Sequence, residues 1–218
     1  MLKKILLGLE TGIDGGSISV FEEGILIDSV NGTGNISKSE DILLLLDILF
    51  EKNSLSKSDI GLINISQEPG SLTGLRIGLA TAKGLSGGLS IPVLKVSLLE
   101  KMAATSGFFG RVLSAIITQK DVVYFREFFL QMDGLRYSEE NLKKADLFEF
   151  SALVKGLCSK SEETYFIFNG ELAGRSAMQE ETAELNKNNR IVIINEPLSD
   201  IFGLNQTSAS GHPQNLYK

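Results

Sequence analysis

Cysteine and histidine are almost missing from this 218-residue chain, which has one of each, Cys158 and His212, and no tryptophan at all. One cysteine excludes an intramolecular disulfide and any cysteine-based zinc site. One histidine excludes a His-Glu-x-x-His helix and every other two-histidine metal site within a single chain. A Ser-His-Asp triad would need a histidine from the terminal tail, a poor place to hold a side chain to within ~0.5 Å. Long apolar runs are lacking as well. The richest, Ile42 to Phe50, is broken by Asp47 and falls far below the ~20 residues of a spanning helix. Ile5 to Leu9 is too short for a secretory signal. A cytoplasmic protein with no membrane partner is expected. Positive charge is also scarce: 21 Lys and Arg face 27 Asp and Glu, a net charge of −6. The deficit is spread evenly, with 8 basic against 11 acidic residues up to position 98 and 13 against 16 beyond. No basic stripe can neutralise phosphates, so direct nucleic-acid binding is not expected.

What is present is an ordinary core supply, 43% hydrophobic residues, enough for one large domain or two small ones. Residues 3–10, Ser17–Phe21 and Ile25–Val30 read as three strands joined by Gly-rich turns, an antiparallel meander. Ser39 reads as the N-cap of a helix to Lys52, with Glu40 and Asp41 favourable in its first turn. A strand over Asp59–Ser66, a helix over Ser71–Ser86, a strand over Ile91–Val96 and a short helix capped by Ser97 follow. Arg111–Thr118 and Val122–Leu130 form a second hairpin, with a turn at Asp133-Gly134. Helix over Phe148–Leu157, strand over Tyr165–Asn169, helix over Arg175–Lys187, strand over Arg190–Ile194 and a helical segment at Pro197–Leu204 complete the order. That order predicts an α/β architecture of two related halves.

Chemistry-bearing candidates are few. Gly70, Ser71 and Thr73 enter a helix N-terminus, a place suited to an anion because free amides and the dipole point there. The stretch lacks the Gly-Lys-[Ser/Thr] ending of a Walker A loop. Glu10, Thr11 and Gly12 form a strand–turn with the same flavour, although a plain β-turn accounts for it better. Gly74, Gly78 and Ala82 recur at four-residue spacing. Helix-interior glycines cost about 1 kcal/mol each against alanine, so close approach of another element must compensate. Internal packing ranks first, a partner helix second and phosphate third. On the preceding helix, Ile42, Leu45, Leu46 and Leu49 share one face, while Leu44 and Ile48 lie opposite. Leu72, Leu75 and Leu79 widen the apolar surface of the next helix, so a joint partner interface of Leu44, Ile48, Leu72, Leu75, Leu79, Gly74, Gly78 and Ala82 is expected. Glu180, Glu181 and Glu184 read as a solvated helix face, and Cys158 as core. Tyr124, Phe125, Phe128 and Phe129 read as strand packing.

Pro69-Gly-Ser-Leu-Thr-Gly-Leu-Arg-Ile-Gly-Leu-Ala-Thr-Ala-Lys-Gly-Leu85 resembles the TsaB (YeaZ) family, whose members take part in making threonylcarbamoyladenosine in tRNA. Glu10-Thr11, Ser39-Glu40, Ile91-Pro92-Val93, Ser97 to Glu100 and Val123-Tyr124 fall in the family's order, and Pro213 to Lys218 faintly follows its ending. The resemblance implies an actin/Hsp70-like (ASKHA) fold, with halves at 1–98 and 99–218 and the C-terminal segment packing back on the first. It also implies a non-catalytic scaffold paired with a TsaD-like transferase that acts on the adenosine beside the anticodon, a TsaE-like ATPase in the same assembly, and a homodimer when alone. No cofactor or metal is expected, beyond weak nucleotide binding at the vestigial turn. Departures are Glu10 for the family's Asp, Lys38 for His, Glu68 for Gly, and Ile117-Thr-Gln-Lys120 for an Asp-Ala-Arg-Arg-like segment. The alternative is an ATP-using ASKHA phosphotransferase or carbamoyltransferase-like enzyme.

Overall fold

The computed structural model describes residues 5–13, 15–32, 38–118, 121–131, 134–137, 141–159, 163–195 and 197–203, with backbone alone at 38–41 and 134–137. The expected roles of Ser39, Glu40, Asp41 and Asp133, and the segment from His212 to Lys218, lie outside the described residues or side chains. Contacts divide the chain into two units: Met1–Lys101 with Thr118–Lys120 and Asn195–Leu204, and Met102–Ile117 with Asp121–Ile194 and Asn205–Lys218.

The first unit carries β1 (Ile5–Glu10), β2 (Ser17–Glu22), β3 (Ile25–Asn31), α1 (Lys38–Lys52), β4 (Ile60–Glu68), α2 (Leu72–Leu89) and β5 (Val93–Ser97). Its sheet runs β3-β2-β1-β4-β5. β2 is antiparallel to both β1 and β3, which is the meander read from the turns, and β4 is parallel to β1 and β5. Alternation gives this sheet two unlike faces. Leu7, Leu9, Ile18, Val20, Ile63 and Ile65 pack with Ile42, Leu45, Leu46 and Leu49 of α1 and Ala82 of α2. Gly8, Ser19 and Asn64 alternate with these residues and cover the other face.

A 3-10 turn over Leu198–Gly203 closes that second face, so the C-terminal segment does return to the first unit. Serine and asparagine side chains fasten it. Ser199 N donates to Ser17 Oγ at 3.0 Å and Asn64 Nδ2 donates to the Phe202 carbonyl at 2.8 Å. The Asp200 carboxylate accepts from Ser29 Oγ at 3.2 Å and from Ser19 Oγ. Gly8 is needed here, because a Cβ on it would lie 3.1 Å from the Ser199 carbonyl.

After α3 (Leu98–Thr105), which Ser97 Oγ caps by accepting from Glu100 N at 3.4 Å, the second set of elements begins. It comprises β6 (Gly110–Thr118), β7 (Val122–Gln131), β8 (Gly134–Tyr137), β9 (Lys143–Asp146), α4 (Leu147–Cys158), β10 (Thr164–Asn169), α5 (Gly170–Gly174), α6 (Gln179–Lys187) and β11 (Ile191–Ile194). Read from its far edge the sheet runs β8-β7-β6-β10-β11, the same sequence of positions as in the first unit, with β9 added against β7. Phe125, Phe150, Phe166 and Phe168 fill its core, the Phe125 and Phe150 rings 5.2 Å apart.

Three expectations need correction here. The helix read over Arg175–Lys187 starts at Gly170 and is interrupted at Arg175, whose extended backbone ends α5 before a 3-10 turn leads into α6. The short strands β8 and β9 were not foreseen, since Lys143-Lys-Ala-Asp146 has no apolar alternation and owes its strand form to pairing with β7. Glu181 is not solvated: it is buried, and accepts from Ser151 Oγ at 2.9 Å beside the Lys155 ammonium at 3.1 Å. That contact holds the Lys155 pKa above its ordinary value.

Candidate functional site

Two places in the first unit bear on function: the turn after β1, and the outer face of α1 and α2. β1 delivers Glu10 to the end of the sheet, where it is 1% exposed. Its side chain curls back over its own turn. Oε1 accepts from the backbone N–H of Gly12 at 2.6 Å and of Ile13 at 3.1 Å, and Oε2 from Ile13 at 3.3 Å. The chain after β4 lies directly against this turn, with Ser71 N donating to the Gly12 carbonyl at 2.8 Å. Gly70, at φ +148°, permits the approach, since a Cβ there would be 2.5 Å from Gly12 Cα. Ser71 caps α2 by accepting from Gly74 N at 3.4 Å, and Thr73 is exposed on the first turn. Glu10, Thr11, Gly12, Gly70 and Ser71 are thus brought together, with the two loops in contact and the Gly12 and Ile13 amides engaged by Glu10.

Gly74, Gly78 and Ala82 are buried within the first unit, which corrects their expected place on a partner surface. A Cβ on Gly74 would lie 2.0 Å from the Thr11 carbonyl, and one on Gly78 2.2 Å from Thr11 Oγ1. The compensation for these helix glycines is the close seating of α2 on the β1 turn, the internal-packing alternative.

The leucines behave differently. Leu44 is 53% exposed, Ile48 46% and Leu72 71%, with Leu43, absent from the expected set, at 56%. Leu75 and Leu79 are half-buried on α2, and α1 and α2 pack beside each other. The second unit supplies a control, because α4 holds the same place in its order. Its exposed positions are Phe148, Glu149, Ala152, Lys155 and Gly156, mostly charged or small, as on an ordinary solvated helix.

Among titratable groups, burial pushes Lys101 below the ordinary lysine range and Cys158, which is half-buried, above the ordinary thiol range. Among the described residues no group of three or more His, Cys, Asp or Glu side chains could hold a metal ion, and no helix is long and apolar enough to cross a membrane.

The family model for tRNA N6-adenosine threonylcarbamoyltransferase, TsaD, matches residues 36–124. The tRNA threonylcarbamoyladenosine biosynthesis protein TsaB of Escherichia coli is 29% identical over 141 residues, 62% of this chain and 59% of that protein. TsaB of Buchnera aphidicola is 29% identical over 177 residues, 77% of this chain and 76% of its own length. YeaZ from Pseudomonas aeruginosa superposes with a TM-score of 0.61 at 20% identity, covering 92% of this chain and 90% of that one.

The chain is similar to TsaB (YeaZ) proteins over most of its length.

Its fold is also similar to that of a Bacteroides thetaiotaomicron protein described as having an actin-like ATPase fold, with a TM-score of 0.51 at 13% identity over 93% of this chain and 96% of that one. The two units of matching strand order make it an α/β, ASKHA-like fold with two similar halves. Against the Escherichia coli TsaB protein, the matched stretch spans about 59% of the relative's length.

Proposed function

We propose that this chain is the non-catalytic scaffold subunit of a cytoplasmic tRNA-modifying assembly, pairing with a TsaD-like protein that transfers threonylcarbamoyl to the adenosine beside the anticodon. The observation that carries the reading is the exposure of Leu43, Leu44 and Ile48 on α1 and of Leu72 on α2, set against α4, where Phe148 is the one large apolar residue exposed. Leu43, Leu44, Ile48 and Leu72 leave enough apolar surface in water that covering each gains about 1 kcal/mol, at roughly half of full side-chain burial. A contiguous apolar face rimmed by polar residues marks a protein contact. Two helices presented side by side fit a partner that presents two of its own. Without the TsaD-like protein, a second copy of this chain covers the same face. A TsaE-like ATPase belongs to the assembly, and the tRNA is held by other subunits, since the charge of −6 offers no phosphate-binding stripe.

The test is co-expression with the TsaD-like protein of the same source, followed by affinity capture and a reconstituted transfer assay on tRNA. Leu44→Glu is expected to melt as wild type and to weaken capture by about a hundred-fold, because a carboxylate would be trapped in an apolar contact. Unchanged capture by Leu44→Glu removes this face from the interface. Transfer by the TsaD-like protein at full rate without this chain, or by this chain alone, refutes the scaffold role.

A further inference from the structure

The fold's likeness to an actin-like ATPase raises the question of whether the turn after β1 can take a nucleotide phosphate. A phosphate at such a turn is held by backbone N–H groups that point together into a small nest. Here the N–H groups of Gly12 and Ile13 already donate to the Glu10 carboxylate. The carboxylate is 1% exposed, so solvent does not share it. Backbone also packs against the turn, with Gly70 pressed on Gly12 and Ser71 N bonded to the Gly12 carbonyl. Glu68, closing β4 just before this loop, adds negative charge near by. The residues present therefore do not fit a phosphate.

We infer that Glu10 is an internal anion that fills the β1 nest in place of a phosphate, so that this turn excludes nucleotides as long as the carboxylate is there. Two effects add. Each donor hydrogen serves one strong acceptor and both are engaged. A phosphate brought to hydrogen-bond distance would also sit within a few ångströms of a carboxylate shielded from water, where like charges repel most. The inference inverts the usual expectation for a ligand-site carboxylate. Removing Glu10 creates anion affinity instead of abolishing it. It concerns the isolated chain and stands or falls apart from the partner reading.

The test uses the full chain and two probes. Titration calorimetry with inorganic phosphate compares wild type with Glu10→Ala, and thermal melting of both is followed in sodium acetate and in sodium chloride at equal ionic strength. Acetate is the fragment that the substitution removes. Wild type is expected to give no phosphate heat and to melt alike in the two salts. Glu10→Ala is expected to melt lower in chloride, to recover by several degrees in acetate, and to bind phosphate about ten-fold or more tighter than wild type. If Glu10→Ala does not fold in chloride, refolding in acetate reads the same dependence. Recovery in acetate alone supports the inference. Melting or refolding of Glu10→Ala that is indifferent to acetate overturns it, as does phosphate binding by wild type equal to that of the variant.

Discussion

The glycines of α2 allow one helix to test the packing twice. Gly74→Ala would place a methyl 2.0 Å from the Thr11 carbonyl, a backbone atom that cannot swing away. Gly87→Ala, thirteen residues further along the same helix, would meet nothing within 4 Å. Both substitutions gain about 1 kcal/mol of helix propensity. At Gly87 that gain stands alone. At Gly74 it is opposed by overpacking of typically 1–3 kcal/mol, at the upper end or above because main chain must move. The expected net effects are about 1 kcal/mol of stabilisation for Gly87→Ala and about 2 kcal/mol of destabilisation for Gly74→Ala. For a chain of this size these correspond to a rise of roughly 2–4 °C and a fall of roughly 4–8 °C in melting temperature. Circular dichroism melts and urea titrations at low micromolar protein would read both. If Gly74→Ala melts at or above wild type, α2 does not sit on the β1 turn and the account of these glycines is wrong. If Gly87→Ala is as damaging as Gly74→Ala, the outer side of α2 is not open.

The strap over the polar face of the first sheet predicts that Phe202→Ala, at a fully buried ring, costs about 3–5 kcal/mol and lowers the first unit's unfolding transition in urea. A single transition unmoved by the change would remove the strap from that unit's core. Asp28 accepts from the Lys52 ammonium at 2.7 Å and from Asn53 Nδ2 at 2.9 Å, contacts that hold its carboxyl below the ordinary aspartate range. A carboxyl depressed in the folded state adds stability above its unfolded pKa and loses it as pH falls through the folded value. Wild type should therefore exceed Asp28→Asn in urea stability at pH 7 by a small margin that closes below about pH 4. A margin independent of pH would show that the ion pair contributes nothing.

Much of the architecture was written locally. Gly and Asn turns between short alternating strands specify the meander, and Ser71 after Pro69-Gly70 specifies where α2 begins, because these choices depend on backbone conformations that few residues adopt. The leucine excess of α1 was also visible, since a helix packed on one side of a sheet needs only one apolar stripe. So was its split into an inner stripe and an outer Leu44 and Ile48, but which residues of α2 stay outside was not visible. Gly74, Gly78 and Ala82 share a helix with Leu72, and periodicity ranks all of them as candidates for a partner; Thr11, sixty-three residues before Gly74, decides which are taken internally. Glu10 shows the same division. Its charge and its place before Thr-Gly mark a turn that could serve an anion, yet the carboxylate's return onto Gly12 and Ile13 depends on how far its side chain reaches from the strand end. Glu181 looked solvated within an acidic run until Ser151 and Lys155, on another helix, enclosed it. Spacing along one element determines which residues share a face, because that is set by 3.6 or 2 residues per repeat. What covers the face comes from residues far away in the chain, and only the tertiary structure brings those together.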